Sequence, residues 1–267
     1  CVHGSRDDNG SMNVLEVRRL AQVLLRAIES VDDPPAAVLQ FLLRCYETDD
    51  LALADDTAQG RFEAALGRAT AARLKVHEPG GGAAESAVEW LPVFAHMGRL
   101  SADPRLPALQ AALFERVQTL WKEGTPVAVN AAAVAGSLQS ADSLEMLQLS
   151  LDALEQLVHR AYVPGVGMRS VQVGAVPPLT DAANLMAQLS TAEALLSAYA
   201  ATGRVPYAML ADELMLSARK RWSVEGGAGI GAPRVSARVT GGRDLVAQCQ
   251  AARVLNRLSR LSPIAEW

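Results

Sequence analysis

Segment 177–215 constrains the fold more than any other part of this chain, because both ends of one structural unit are marked in it. A loop with two prolines leads to Thr180 and Asp181, residue types that start helices, and a long apolar stretch follows. The stretch is broken at Gly203, and a second apolar stretch begins near Pro206. The segment is therefore predicted to be a helical hairpin.

The remaining apolar stretches also follow helical spacing between turn residues. Asn13 and Glu16 form a variant of the capping box, which predicts a helix from there to about Val31. Gly60 could interrupt the helix predicted around it or be tolerated within it, and Pro92 predicts either a kink or a late start. Further helices are predicted over about 36–47, 51–75, 84–100, 104–124, 127–138, 142–162 and 244–261.

Composition supports an all-α fold built from antiparallel helical hairpins. Half of the residues are hydrophobic but only 4% are aromatic, and alanine-rich sequences favour closely packed helices. Two long loops, 162–178 and 223–243, are predicted to hold short β-strands, the first over 171–176. Residues 1–12 are expected to be flexible, and residues 13–267 to form a single domain, either whole or part of a longer chain.

Two segments carry a resemblance to a known family. They are DDNGSMNVLEVRRLAQ and GVGMRSVQVGAVPPLTDAANLMAQLSTAEALLSAYAATGR. Each combines a glycine-containing loop, a polar stretch with Asp and Asn, and an apolar helix. This pattern resembles the α/α toroid of six-hairpin proteins, in particular the toroid of the thioredoxin-containing spermatogenesis-associated family, which is similar to N-acylglucosamine 2-epimerases and six-hairpin glycosidases. The chain supplies ten helices at most, so the resemblance implies a partial or open toroid.

The resemblance also implies where a site would lie. Inner helices of such toroids point their N-terminal ends at a central funnel, and helix N-termini offer free amides to an anion or a hydroxyl. Ligand-binding candidates are the polar residues near those ends, one arginine from the preceding loop and one tryptophan: Asn13, Asn130, Asn184, Arg169 and Trp90. Each Asn or Asp at a helix start also has a second interpretation, as an N-cap.

Catalysis on a sugar would require two carboxylates held across the substrate. Asp181 with Glu85 or Glu89 is the candidate set. Epimerases of this class use histidines, and of the four here only His96 falls in an inner helix, far from its N-terminus. The glycine run at 226–232 lacks the flanking strand and helix of a nucleotide-binding loop. Neither a cofactor nor a metal site is predicted.

Charge and cysteine content limit the partners and the compartment. A net charge of −4 leaves no excess of positive charge for binding nucleic acid, and no apolar run reaches the length of a membrane span. Cys1, Cys45 and Cys249 are widely spaced and indicate thiols in a reducing compartment. An N-terminal cysteine is also compatible with a lipoprotein, although a trimmed chain is the favoured interpretation.

Three functions follow as hypotheses. The favoured one is a non-catalytic helical domain that binds a protein partner or a small polar ligand through its concave face. The first alternative is a carbohydrate-active enzyme of the epimerase or glycosidase type. The second is a scaffold subunit of a larger assembly.

Overall fold

The computed structural model describes residues 14–28, 31, 34–47, 56–76, 84–101, 103–122, 124–169, 181–224 and 242–261. Ten α-helices account for most of these residues, which confirms the predicted all-α fold. The chain divides into two compact units, residues 1–113 and residues 114–267. The arrangement of the hairpins as a toroid stays a prediction.

Unit 1 is built on helices that bury leucine and aromatic side chains. Helix α1 packs against α2 and α3, and α2 packs against α4. The largest fully buried side chains of the unit include Leu39, Leu42, Phe62, Trp90 and Phe94. The helices are α1 Val14–Ile28, α2 Ala36–Glu47, α3 Asp56–Val76, α4 Ala84–Leu100 and α5 Leu106–Gln118, the last of which continues into unit 2.

Three local predictions for unit 1 can be compared with its helices. Helix α1 ends at Ile28, near the predicted end at about Val31, and the Ile28 carbonyl accepts from the Val31 amide and from the Arg68 guanidinium of α3. Helix α3 continues through Gly60, whose cost of about 1 kcal/mol in a helix is outweighed by the buried face that follows. Helix α4 begins at Ala84, eight residues before Pro92, so the late start does not occur, and the alternative of a kink at Pro92 stays a prediction.

Unit 2 contains the hairpin that the sequence marked most clearly. Helix α8 begins at Asp181 and ends at Thr202, as predicted, and Gly203 follows with a φ of +69°. The Gly203 amide donates to the Tyr199 carbonyl, which closes the helix in the left-handed turn that glycine favours. The other elements are a 3₁₀ turn Thr119–Trp121, α6 Val127–Ser140, α7 Leu144–Ala161, β1 Tyr162–Val163, β2 Gly167–Met168, α9 Val205–Val224 and α10 Gly242–Leu261.

Helices α6, α8 and α10 form one layer and run parallel to one another. Gln250 and Arg257 of α10 donate to Ser190 and Ser197 of α8, and both pairs are 60 residues apart, as parallel helices require. Gln139, in the last turn of α6, also donates to Ser197 near the end of α8. This bond joins residues near the C-terminal ends of both helices. Because α6 and α8 also make the most extensive helix contact of the molecule, they overlap along their lengths and must run parallel.

Helices α7 and α9 form a second layer on the first. The Tyr207 hydroxyl donates to Glu155 over 2.7 Å, and the Tyr162 hydroxyl donates to Glu213 over 2.6 Å. The separations of 52 and 51 residues are nearly equal, which makes these two helices parallel as well. Short turns connect α6 to α7 and α8 to α9, so unit 2 alternates between its layers as antiparallel hairpins do.

A strand pair lies at the start of the first long loop. Strands β1 and β2 are antiparallel, with Tyr162 opposite Met168 and Val163 opposite Gly167. The strand predicted over 171–176 and the loop 223–243, apart from its end residues, lie outside the described residues. Among the described helices, none is long and apolar enough to cross a membrane.

Candidate functional site

Asn130 was expected to cap α6 or to line a pocket, and the capping interpretation is wrong. The N-cap of α6 is Pro126, and Asn130 is the fourth residue of the helix. Its side chain is 0% exposed, and neither Oδ1 nor Nδ2 has a hydrogen-bond partner among the described residues. Asn130 therefore lies inside unit 2 rather than at an open helix end.

The other polar candidates of unit 2 lie around the start of α8. Asp181 is its first residue and Asn184 its fourth, the same helical position as Asn130 in α6. The side chains of Asp181 and Asn184 are outside the described part of the structure. Arg169 is exposed directly after β2, where its backbone amide donates to the Ala161 carbonyl over 2.9 Å. The role of Arg169 and Asn184 in binding a ligand stays a prediction.

The candidates of unit 1 divide between surface and core. Glu89 is exposed on α4, whereas Trp90 is 2% exposed and stacks on Phe94 with ring centroids 5.4 Å apart. Burial on this scale leaves no ring face for a sugar, so the expected role of Trp90 as a ligand platform is corrected to that of a core side chain. The side chain of Glu85 and the whole of Asn13 are outside the described residues.

The histidines and cysteines lie on different helices in the part of the chain that the structure describes. His96 is 5% exposed inside α4, and His159 is exposed in the last turn of α7, where a cation is favourable to the helix dipole. Cys45 is buried, and burial raises the pKa of its thiol. Within the described ranges, no group of three or more His, Cys, Asp or Glu could hold a metal ion.

A polar seam runs along the side of α8 that faces α10. The Gln250 amide of α10 donates to Ser190 and, over 3.0 Å, to the Glu193 carboxylate. Arg253 lies 3.9 Å from the same carboxylate, and Ser197 accepts from Gln139 and Arg257. Every one of these bonds joins neighbouring helices, so the seam fixes helix register.

A shallow cleft of about 340 Å³ opens beside the turn between α6 and α7. Leu144, its most exposed apolar side chain, is 84% exposed at the start of α7, and Ser143 caps that helix by accepting from the Met146 amide. The cleft is lined by Leu138, Ala141, Asp142, Ser143, Leu144, Leu147 and Ala201. These apolar side chains and the Asp142 carboxylate form a surface that part of a binding partner could contact.

The outer face of α9 carries the clearest surface feature, which we call the α9 face: Val205, Met209, Asp212 and Leu216. Its three apolar members are 58%, 67% and 42% exposed in chain order. At 100° per residue these positions fall on one side of the helix, opposite the buried Ala211, Leu214 and Ala218. Helix α9 therefore has two apolar sides, and one of them is exposed in the part of the chain that the structure describes.

Asp212 stands at the edge of the α9 face with an uncompensated carboxylate. Its Oδ1 is buried and has no hydrogen-bond partner among the described residues. Desolvation by burial raises the pKa of this carboxyl above its usual range. Sequence reasoning missed the α9 face because it treated the segment as one apolar helix without separating its sides. The one available signal was that apolar residues occupy both sides of the helix.

Comparison with known proteins adds no constraint on the site. No protein-family model matches the chain. No curated protein and no solved structure matches it either.

Proposed function

We propose that this chain is a non-catalytic helical domain that binds a protein partner on its α9 face. The observation that carries the proposal is the row of exposed apolar side chains beside the half-buried carboxylate of Asp212. The partner is a segment with apolar side chains and a lysine or arginine. The proposal moves the expected binding surface from a concave face to the outer side of unit 2.

The apolar part of the face supplies the driving force for association. Burying an exposed Val, Leu or Met side chain contributes about 1.5–3 kcal/mol. Val205 and Met209 are one helical turn apart and more than half exposed, so one apolar side chain of a partner can cover both. Met209 also adapts its shape to different partners, because its side chain is unbranched.

Asp212 supplies the preference for a basic partner. A carboxylate that has lost water on one oxygen and has gained no donor is held in an unfavourable state. A lysine or arginine placed there would pair with the carboxylate and lower its pKa again. An uncharged partner would cover the same apolar surface without that gain.

Selection from a displayed random peptide library, followed by binding measurements on the selected peptides, tests the proposal. We expect enrichment of peptides in which a lysine or arginine lies near apolar residues. Met209→Glu should weaken their binding about 10–100-fold, and Asp212→Asn about tenfold. Val23→Glu, at a 61% exposed valine of α1, is the matched control and should leave binding unchanged.

Two results would refute the proposal. If Leu144→Glu abolishes peptide binding and Met209→Glu does not, the docking surface is the cleft beside α7. Turnover on a panel of sugars that is lost in Asp181→Ala or Glu89→Ala would instead establish the carbohydrate-active alternative.

A further inference from the structure

The polar seam joins α8 to α10 by three successive side-chain pairs. Each pair links residues that are 60 positions apart in the chain, and the steps from one pair to the next are three and four residues. Steps of three and four keep all three pairs on one side of each helix. The pairs are Gln250 with Ser190 at 3.2 Å, Arg253 with Glu193 at 3.9 Å and Arg257 with Ser197 at 3.3 Å.

The apolar part of this contact is small. In the described part of α10, four apolar side chains are fully buried, and two of them are alanines: Ala247, Ala251, Val254 and Leu258. The gain from apolar burial is roughly proportional to the area removed from water, so the alanines contribute little. The polar pairs can exchange their hydrogen bonds with water when the helices separate. Helix α10 can therefore detach from α8 with little exposure of apolar surface.

The connection that leads into α10 is far longer than the connections inside the hairpins. Two residues join α8 to α9, whereas residues 225–241 join α9 to α10. Since α9 is antiparallel to α8 and α10 is parallel to it, the end of α9 and the start of α10 lie at the same end of α8, where a short turn would suffice. An extended chain spans about 3.3 Å per residue, so residues 225–241 can cover up to about 55 Å. This length allows α10 to reach a second molecule.

We propose that α10 is an exchangeable helix, and that two copies of this chain form a dimer in which each α10 docks on the α8 of the other copy. The three polar pairs and the buried side chains of α10 form again across the two copies. Exchange of an identical element therefore needs no new complementary surface. The proposal does not depend on the α9 face.

Sedimentation velocity of two full-length variants with reversed charges tests the exchange. In Glu193→Arg and in Arg253→Glu, α10 meets a like charge whether it docks on its own copy or on an identical copy. In a mixture of the two variants, each α10 meets an opposite charge only on the other variant. We expect the mixture to form dimers about 10–100-fold more favourably than either variant alone. Equal association in the mixture and in the separate variants would overturn the proposal.

Two controls separate the exchange of α10 from other contacts between copies. The double variant Glu193→Arg/Arg253→Glu has a matched pair within one chain, so it should not prefer wild-type copies over its own. Met209→Glu changes the α9 face and should leave the wild-type dimer intact, whereas loss of the dimer in this variant would overturn the proposal. If Glu193→Arg fails to fold, the wild-type chain decides. A dimer that persists in Met209→Glu would then support the exchange, and a monomer at every concentration up to the solubility limit would overturn it.

Discussion

At the scale of single residues, the carboxylate of Asp103 determines how the turn before α5 responds to pH. Asp103 precedes α5 and accepts from the Arg105 side chain at both carboxylate oxygens, over 3.0 Å from Nε and 2.6 Å from Nη2. The Arg105 backbone amide also donates to Asp103 Oδ1 over 3.0 Å. These bonds, the side-chain bonds first, lower the pKa of Asp103 to about 2. The carboxylate is therefore ionised throughout the ordinary pH range.

The titration of Asp103 is the prediction at this scale. A depressed pKa means that the pair stabilises the folded state above the ordinary value of 3.8, and that this contribution is lost as the pH falls toward 2. Carbon-13 NMR of the carboxyl should give a midpoint near 2. In Arg105→Ala the midpoint should rise only part of the way to 3.8, because the backbone bond remains. A wild-type midpoint near 3.8 would show that the pair does not form in solution.

At the scale of elements, the sequence predicted where helices occur better than it predicted where they end. The start and the end of α8 could be read directly, because Asp181 and Gly203 mark them with local chemistry. Gly60 and Pro92 carry strong local signals too, yet α3 continues through Gly60 along a buried face, and α4 begins well before Pro92. Local propensity therefore sufficed where helices end in turns and failed where tertiary packing continues a helix.

The candidate site was much less accessible to sequence reasoning. Asn130 was identified from its type and position, yet its burial depends on how α6 packs against the helices around it, which no local pattern encodes. Asp212 was not identified, because nothing in the sequence around it signals that one of its carboxylate oxygens is buried. Burial and lost hydrogen bonds are properties of the packed molecule, and a single sequence contains them only indirectly.

The β1–β2 hairpin provides the prediction at the element scale. Gly167 has a φ of +92°, and a Cβ there would lie 2.5 Å from Oε1 of Gln188, whose amide pairs with the Met168 backbone. Gly167→Ala should lower the free energy of unfolding by about 2–5 kcal/mol, through left-handed strain and the loss of those bonds. Gly165→Ala, at a φ of +74° with open space around the position, isolates the strain at about 1–2 kcal/mol. Equal losses in the two variants, measured by urea denaturation, would contradict the role of Gln188.

At the scale of the whole molecule, stability should be concentrated in α6 and α8. Most residues of both helices are buried, and the two helices make the most extensive contact with each other. Amide hydrogens exchange from such segments only through large openings, whereas partly exposed helices open locally. Hydrogen exchange followed by mass spectrometry should therefore find the slowest amides beyond the first turns of α6 and α8. Slower exchange in α1 or α10 would show that stability is distributed differently.

The hydroxyl of Ser197 couples the local unfolding of separate helices in unit 2. One oxygen accepts from Gln139 of α6 and from Arg257 of α10 while donating to the Glu193 carbonyl of α8. Three helices that are distant in sequence thus share one atom as a junction. When α10 detaches, Ser197 loses the hydrogen bond from the Arg257 guanidinium and keeps the bond from Gln139 of α6. Fluctuations of the last turns of α6 and α10 should consequently be correlated in time, although these two helix ends are joined through a third.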